Sequence, residues 1–203
     1  MIGLHPCEVK EGFENELDTL RQWLTDPACT WYGIGETGLD LYWDKSTLPL
    51  QIEALQVQIQ WAKETQLPII LHARNAIDET TVQIEQAADS DLRGIFHCFD
   101  GTIAQAERIL ALGSFKLGIG GIVTYRKDVQ EVVRQLPKSS VVLETDSPYL
   151  PPEPFRKSKN RRNESSYPRY VGESVAQLWG ISYEAVAELT NQNAKEVFTS
   201  KKN

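Results

Sequence analysis

Apolar positions along this chain follow two alternating rhythms. Short strand-like apolar runs occur at Trp31–Glu36, Leu67–His72, Gly94–His97, Phe115–Gly121 and Val141–Asp146. Runs of this length read as buried strands. Between them the apolar residues recur at helical spacing: Phe13, Leu17, Leu20 and Leu24, stopped by Asp26-Pro27; then Ile52, Leu55, Ile59 and Ala62. A less periodic helix is predicted from about Ala76 to Ala88, followed by stripes at Ile103, Ala106 and Leu110 and at Val129, Val132, Val133 and Leu136. Two further helices close the chain, the second opened by Ser182 as N-cap. Strands alternating with helices predict a parallel sheet.

Each of four predicted strands ends on a side chain that could ligate a metal: Glu36, His72, His97 and Asp146. In a parallel (β/α) barrel the C-terminal strand ends open on one face, so residues far apart in sequence would converge there. Ile2-Gly3-Leu4-His5-Pro6 reads as the last residues of a further strand. With the glycine-rich run near Gly120 this makes six strand ends, whereas a closed TIM-type barrel has eight strands and about 250 residues. The expectation is an α/β, TIM-type barrel forming one domain over residues 1–203, without its first two strands. Exposed sheet edges would then favour association.

Composition narrows the setting. The 203 residues are 41% hydrophobic and 24% charged, enough for one sizeable core. The net charge of −7 excludes a global basic field drawing the chain to nucleic acid or membrane, so phosphate would have to be held locally. Cys7, Cys29 and Cys98 lack Cys-x-x-Cys spacing and point to a reducing compartment. With no membrane span and no signal peptide in the sequence, the cytoplasm is the expected location.

Two histidines and two carboxylates ending apolar strands suit zinc, manganese or a similar divalent ion. Four costly polar groups there need mutual compensation, which a metal site supplies and a structural polar cluster supplies less well. Glu144 shares the Asp146 face by strand period, as a supporting partner or as the ligand itself; Asp146, nearer the strand end, is preferred. Gly33-x-Gly35-x-x-Gly38 matches a dinucleotide-binding fingerprint, but Leu39–Asp44 and Pro49 delay the helix whose N-terminus would take the pyrophosphate. Arg74 stands either as a phosphate clamp or as a surface ion-pair residue. The basic loop with Arg156, Lys157, Lys159, Arg161 and Arg162 serves either phosphate capture or solubility, and Cys98 is expected to pack on the sheet face opposite His97.

In order along nearly the whole chain stand Gly3-Leu4-His5-Pro6, Gly35-Glu36-Thr37-Gly38-Leu39-Asp40, Ile70-Leu71-His72-Ala73-Arg74, His97-Cys98-Phe99, Leu143–Leu150 and Arg162-Asn163-Glu164. By these motifs the chain closely resembles the TatD-type metal-dependent deoxyribonucleases. The resemblance implies a distorted eight-stranded barrel, a two-metal site for magnesium, manganese or zinc, and hydrolysis of phosphodiester bonds in DNA. By it, Glu36 would bridge both metals, His72 and His97 would bind one, and Asp146 would bind the other and help orient or deprotonate the attacking water. His5, Arg74 and Arg162 would meet substrate. The family's first strand carries a His-x-His pair that this chain lacks, which predicts one incomplete metal position, one bound ion or fewer, and weak activity. Ser165 and Asn75 are minor departures. An amidohydrolase acting on an amide or lactone and a non-catalytic remnant that folds with a partner are the competing expectations.

Overall fold

The computed structural model describes residues 1–89, 91–157 and 162–199. Lys159 and Arg161 of the basic loop lie outside them. The α helices are α1 (Glu14–Thr25), α2 (Leu48–Thr65), α3 (Ile77–Ala87), α4 (Ile103–Leu110), α5 (Lys127–Gln135), α6 (Pro168–Trp179) and α7 (Tyr183–Phe198). The strands are β1 (Ile34–Asp40), β2 (Ile69–Arg74), β3 (Gly94–Phe96), β4 (Phe115–Ile119) and β5 (Val141–Leu143). The alternation expected from the sequence is the alternation observed. The Ile2–Pro6 segment contributes one parallel bridge, Ile2 to Ile34, in place of a full strand. No described helix is long and apolar enough to cross a membrane.

The chain folds as two compact units. The first comprises Met1–His97, Ala111–Phe115 and the residues from Val197 onward. Its strands run parallel in the order β1-β2-β3. Ile34, Leu39, Ile69, Leu71 and Phe96 are almost wholly buried between strand and helix. Helix α2 covers this core with Ala54, Leu55, Ile59, Trp61 and Ala62, while Ile52, expected on its inner face, is only half-buried. Pro49 sits in the first turn of α2, where a missing N–H costs nothing. The helix stops at Gln66, whose left-handed backbone returns its N–H to the carbonyls of Ala62 and Lys63.

Two polar residues interrupt the apolar face of α2, and they tie it to the chain around the histidines. Gln51 and Gln58 lie about two helical turns apart on the buried side. Gln58 accepts the N–H of Leu4 at 2.7 Å and donates to the Leu4 carbonyl at 3.2 Å and to Thr37 Oγ1 at 2.7 Å. Gln51 grips Asp40 in the same way, accepting its N–H at 2.8 Å and donating to its carbonyl at 3.1 Å. Both segments have irregular or terminal backbone, so the side-chain amides complete hydrogen bonding that the sheet does not supply. Gln58→Leu would orphan the buried polar groups of Leu4. We expect a loss of about 2 to 4 kcal/mol in urea unfolding, whereas Gln56→Leu, on the exposed face, should stay within about 0.5 kcal/mol.

The second unit comprises Cys98–Leu110 and Lys116–Glu196. Here β4 and β5 pair in parallel, Leu117 against Val141 and Ile119 against Leu143. Asn193 of α7 donates to the carbonyls of Lys138 and Val141, pinning the entry to β5. The Ser182 hydroxyl accepts the N–H of Ala185, as its expected capping role requires.

Candidate metal centre

Glu36 was expected at the C-terminal end of its strand; it lies third in a strand that continues to Asp40. The strand nevertheless presents it as a special position. Between Ile34 and Thr37, β1 advances three residues while β2 advances only two, from Ile69 to Leu71. This bulge takes Glu36 out of the regular alternation and aims it separately from its neighbours. Gly35 and Gly38 carry φ of +139° and +140°, which L side chains rarely adopt. A Cβ at Gly38 would also strike the His72 carbonyl oxygen, so glycine lets β1 and β2 close together beside that histidine. The glycine fingerprint is therefore spent on strand geometry: α2 begins only at Leu48, too late to receive a pyrophosphate.

Three histidines gather on this strand. His97 Nε2 lies 3.1 Å from one Glu36 oxygen, and His5 Nε2 lies 3.4 Å from the other. One ligand-type atom from each of His5, Glu36 and His72 lies within 4.8 Å of the other two. The His5 and His72 rings meet edge-on with centroids 4.5 Å apart. His72 is not terminal in β2; two residues follow it, Ala73 and Arg74. His97 follows β3 immediately.

The partners of each ring decide what it can offer. His72 Nε2 faces Asp40 Oδ2 at 2.8 Å, and Asp40 is only 2% exposed. Asp40 Oδ1 already accepts the N–H groups of Tyr42 and Trp43, so the carboxylate is ionised and Nε2 carries the proton. The Nδ1 lone pair of His72 is then free for a cation, the carboxylate–histidine arrangement typical of metal sites. His5 is arranged oppositely: its Nδ1 accepts the Cys7 N–H at 3.2 Å, leaving the proton on Nε2 toward Glu36. His5 thus serves better as a hydrogen-bond donor than as a ligand. Imidazoles and a carboxylate gathered in this way form a donor set that suits a borderline divalent ion.

Electrostatics agree with that division. Burial pushes the Glu36 carboxyl up, but the His5 hydrogen bond and the charges of His97, His72 and His5 together bring it below its ordinary value. Burial lowers His72 more than Asp40 raises it, so the ring is held neutral. Burial and then Asp40 push the Cys7 thiol up to about 11, which keeps it protonated and unreactive. Both site shifts have the same sign for stability. Below about pH 6.5 the unfolded chain takes up a proton that folded His72 refuses, and below about pH 4.5 the same holds for Glu36. In calorimetry of the metal-free protein, we expect the midpoint to fall in two stages as pH drops from 7 to 4. A midpoint that rises between pH 7 and 5.5 would contradict the burial of neutral His72.

In the second unit, β5 ends at Leu143, so strand alternation does not relate Glu144 to Asp146 as expected. Glu144 follows β5 directly, and its carboxylate accepts the Cys98 N–H at 2.5 Å. A Cβ at Gly118 would strike that carboxylate, so β4 is open at this position to admit it. Cys98 has φ of +48° and lies beyond β3, in a turn rather than on the opposite sheet face. Asp146 is half-buried in the loop after β5. That loop is held by Asn163, which is 2% exposed and donates to the carbonyls of Tyr149 and Leu150, while Ser147 Oγ donates to the Asn163 carbonyl. Arg162, its neighbour, is exposed. In the first unit Arg74 is also exposed, its guanidinium 3.7 Å from the centroid of the Tyr42 ring.

Asp40, Gln51, Gln58 and Asn163 are the residues that reading the sequence did not single out. Asp40 and Asn163 stand inside the quoted motifs, and the two glutamines are polar interruptions of an apolar helix face.

Known proteins share this framework. A family profile described as TatD related DNase matches residues 1–199. The chain is 37% identical over 199 residues to the uncharacterized metal-dependent hydrolase YabD of Bacillus subtilis, covering 97% of this chain and 76% of that protein. It is 34% identical over 200 residues to the 3'-5' ssDNA/RNA exonuclease TatD of a Rahnella species, covering 97% and 75% respectively. Among solved structures, the TatD homologue YjjV of Escherichia coli superposes with a TM-score of 0.88 at 30% identity, over 97% of this chain and 75% of that one. The fold is accordingly of the TIM-barrel type. The chain belongs to the TatD-related DNase family and is a metal-dependent hydrolase.

Proposed function

We propose that this protein hydrolyses phosphodiester bonds in single-stranded nucleic acid, with Glu36, His72 and His97 holding a divalent cation. The observation that carries the reading is the arrangement around Glu36: one oxygen toward His97, the other toward His5, beside a His72 locked by Asp40. A divalent ion there would polarise the phosphoryl oxygens and lower the pKa of a bound water to about 7. The imidazole-rich donor set favours zinc or manganese over magnesium, which prefers oxygen ligands. His5 Nε2–H is the donor we assign to a phosphate oxygen of the substrate. Arg74 and Arg162 supply local positive charge that a chain of net charge −7 otherwise lacks. Asp146 is proposed as the carboxylate that takes the proton from attacking water, on the strength of the Leu143–Leu150 motif. No disulfide joins the cysteines among the described residues, which suits a reducing compartment, and the cytoplasm is the location we propose.

The test is an end-labelled single-stranded oligonucleotide incubated with the full chain and, in turn, manganese, zinc and magnesium, with bound metal measured in parallel. Metal-dependent shortening of the strand is expected. Stoichiometric metal with no cleavage of any strand would overturn the phosphodiesterase reading.

A further inference from the structure

The chain leaving β1 places two large aromatic rings in solvent beside the candidate site. Trp43 is 71% exposed and Tyr42 51% exposed, although both belong to residue types usually buried to a large extent. Their rings meet edge-on, centroids 4.9 Å apart. The Arg74 guanidinium lies 3.7 Å from the Tyr42 centroid and 5.6 Å from that of Trp43. These three residues are not loosely attached. Asp40 Oδ1 accepts the N–H of Tyr42 at 2.8 Å and of Trp43 at 3.3 Å, while Oδ2 of the same carboxylate meets His72. The Leu41 N–H donates to the Arg74 carbonyl at 2.9 Å, joining the ends of the two strands. One buried carboxylate therefore registers both a site histidine and the exposed aromatic pair.

Exposed π faces with an adjacent guanidinium match the two chemical features of a single nucleic-acid strand. Every base offers a flat face for stacking, and the backbone offers phosphates for Arg pairing. Paired bases in a duplex keep their faces covered, so such a platform selects for unpaired ones. We propose that Tyr42, Trp43 and Arg74 form a subsite that stacks an unpaired nucleobase of the substrate strand next to the scissile phosphodiester. This rests on the phosphodiesterase reading of the Glu36 site.

The experiment measures anisotropy binding of a labelled oligothymidylate, and of the same strand with abasic positions, to the metal-chelated full chain. Wild type, Trp43→Ala and Trp43→Phe are compared, and wild-type cleavage is measured separately with metal restored. Wild type should bind the base-containing strand about tenfold tighter than an abasic strand at one position. Trp43→Ala should lose that difference, and Trp43→Phe, which keeps a ring, should recover much of it. Matched circular dichroism spectra and unfolding midpoints would confirm intact folding, as a mostly exposed side chain leads one to expect. If wild type cleaves DNA but Trp43→Ala discriminates abasic strands as wild type does, the platform is wrong and the hydrolase reading stands. A wild type that neither binds nor cleaves any strand overturns both.

Discussion

Glu36→Gln is expected to lower the rate of single-stranded DNA hydrolysis by about a thousandfold. The substitution keeps the shape of the side chain and removes its charge, so what is lost is the anionic oxygen rather than the packing. A metal site supplies several kcal/mol of transition-state stabilisation, and each 1.36 kcal/mol is a factor of ten in rate. In the structure both Glu36 oxygens are committed, one toward His97 and one toward His5. A neutral amide presents one acceptor and one donor there, so its NH2 would face an imidazole N–H or compete for a lone pair. Metal content should fall together with rate. A variant that retains stoichiometric metal and wild-type turnover would remove Glu36 from the site.

Asp40→Asn is expected to have the next largest effect, a 10- to 100-fold loss of metal affinity or turnover, as for other residues that orient a metal-binding histidine. Asp40 touches His72, not the space between the ligands, so it is a positioning residue. With asparagine, Nε2 of His72 faces either an amide oxygen of weaker hold or an amide NH2, which would favour the other tautomer. The readout that separates this from simple destabilisation is the pH dependence of metal binding. Loss of the carboxylate removes the hydrogen bond that most raises His72 basicity and should move its protonation to lower pH, while Glu36→Gln removes a weaker charge interaction and should move it less. An unchanged pH profile and unchanged metal affinity in a folded Asp40→Asn protein would show that the pair is structural only.

The two variants also show how far the candidate site could be read from residues alone. Glu36, His72 and His97 were legible because each stands beside or within an apolar run, and a carboxylate or imidazole in such surroundings is costly unless compensated. Their exact places in the strands were not legible. A bulge is set by how one strand registers against its neighbour, and the run Gly35-Glu36-Thr37-Gly38 is compatible with a strand that ends at Glu36 as well as with one that goes on to Asp40. Asp40 was hidden for the same reason. It stands inside the Gly35–Asp40 motif with no role of its own, and only the pairing of Gly38 with His72 and of Asp40 with Arg74 sets its carboxylate against the histidine two positions back on β2.

The glutamines of α2 were invisible for a different reason. Period and polarity predict which face of a helix is inside, and Gln51 and Gln58 contradict the pattern because their partners are backbone groups of Leu4 and Asp40, far off in the chain. Asn163 is the same case in the second unit, a polar side chain that holds the loop carrying Asp146 through backbone carbonyls.

What the sequence by itself determined was the alternation of strands and helices, the family, and the kind of chemistry available, because periodicity and residue type are local properties. What only the tertiary structure decided was which partner each polar group meets: Asp40 for His72, Cys7 for His5, Leu4 for Gln58 and Arg74 for Tyr42. Those pairings set tautomer, charge and orientation, and they depend on approach distances of a few ångströms that no one-dimensional pattern encodes.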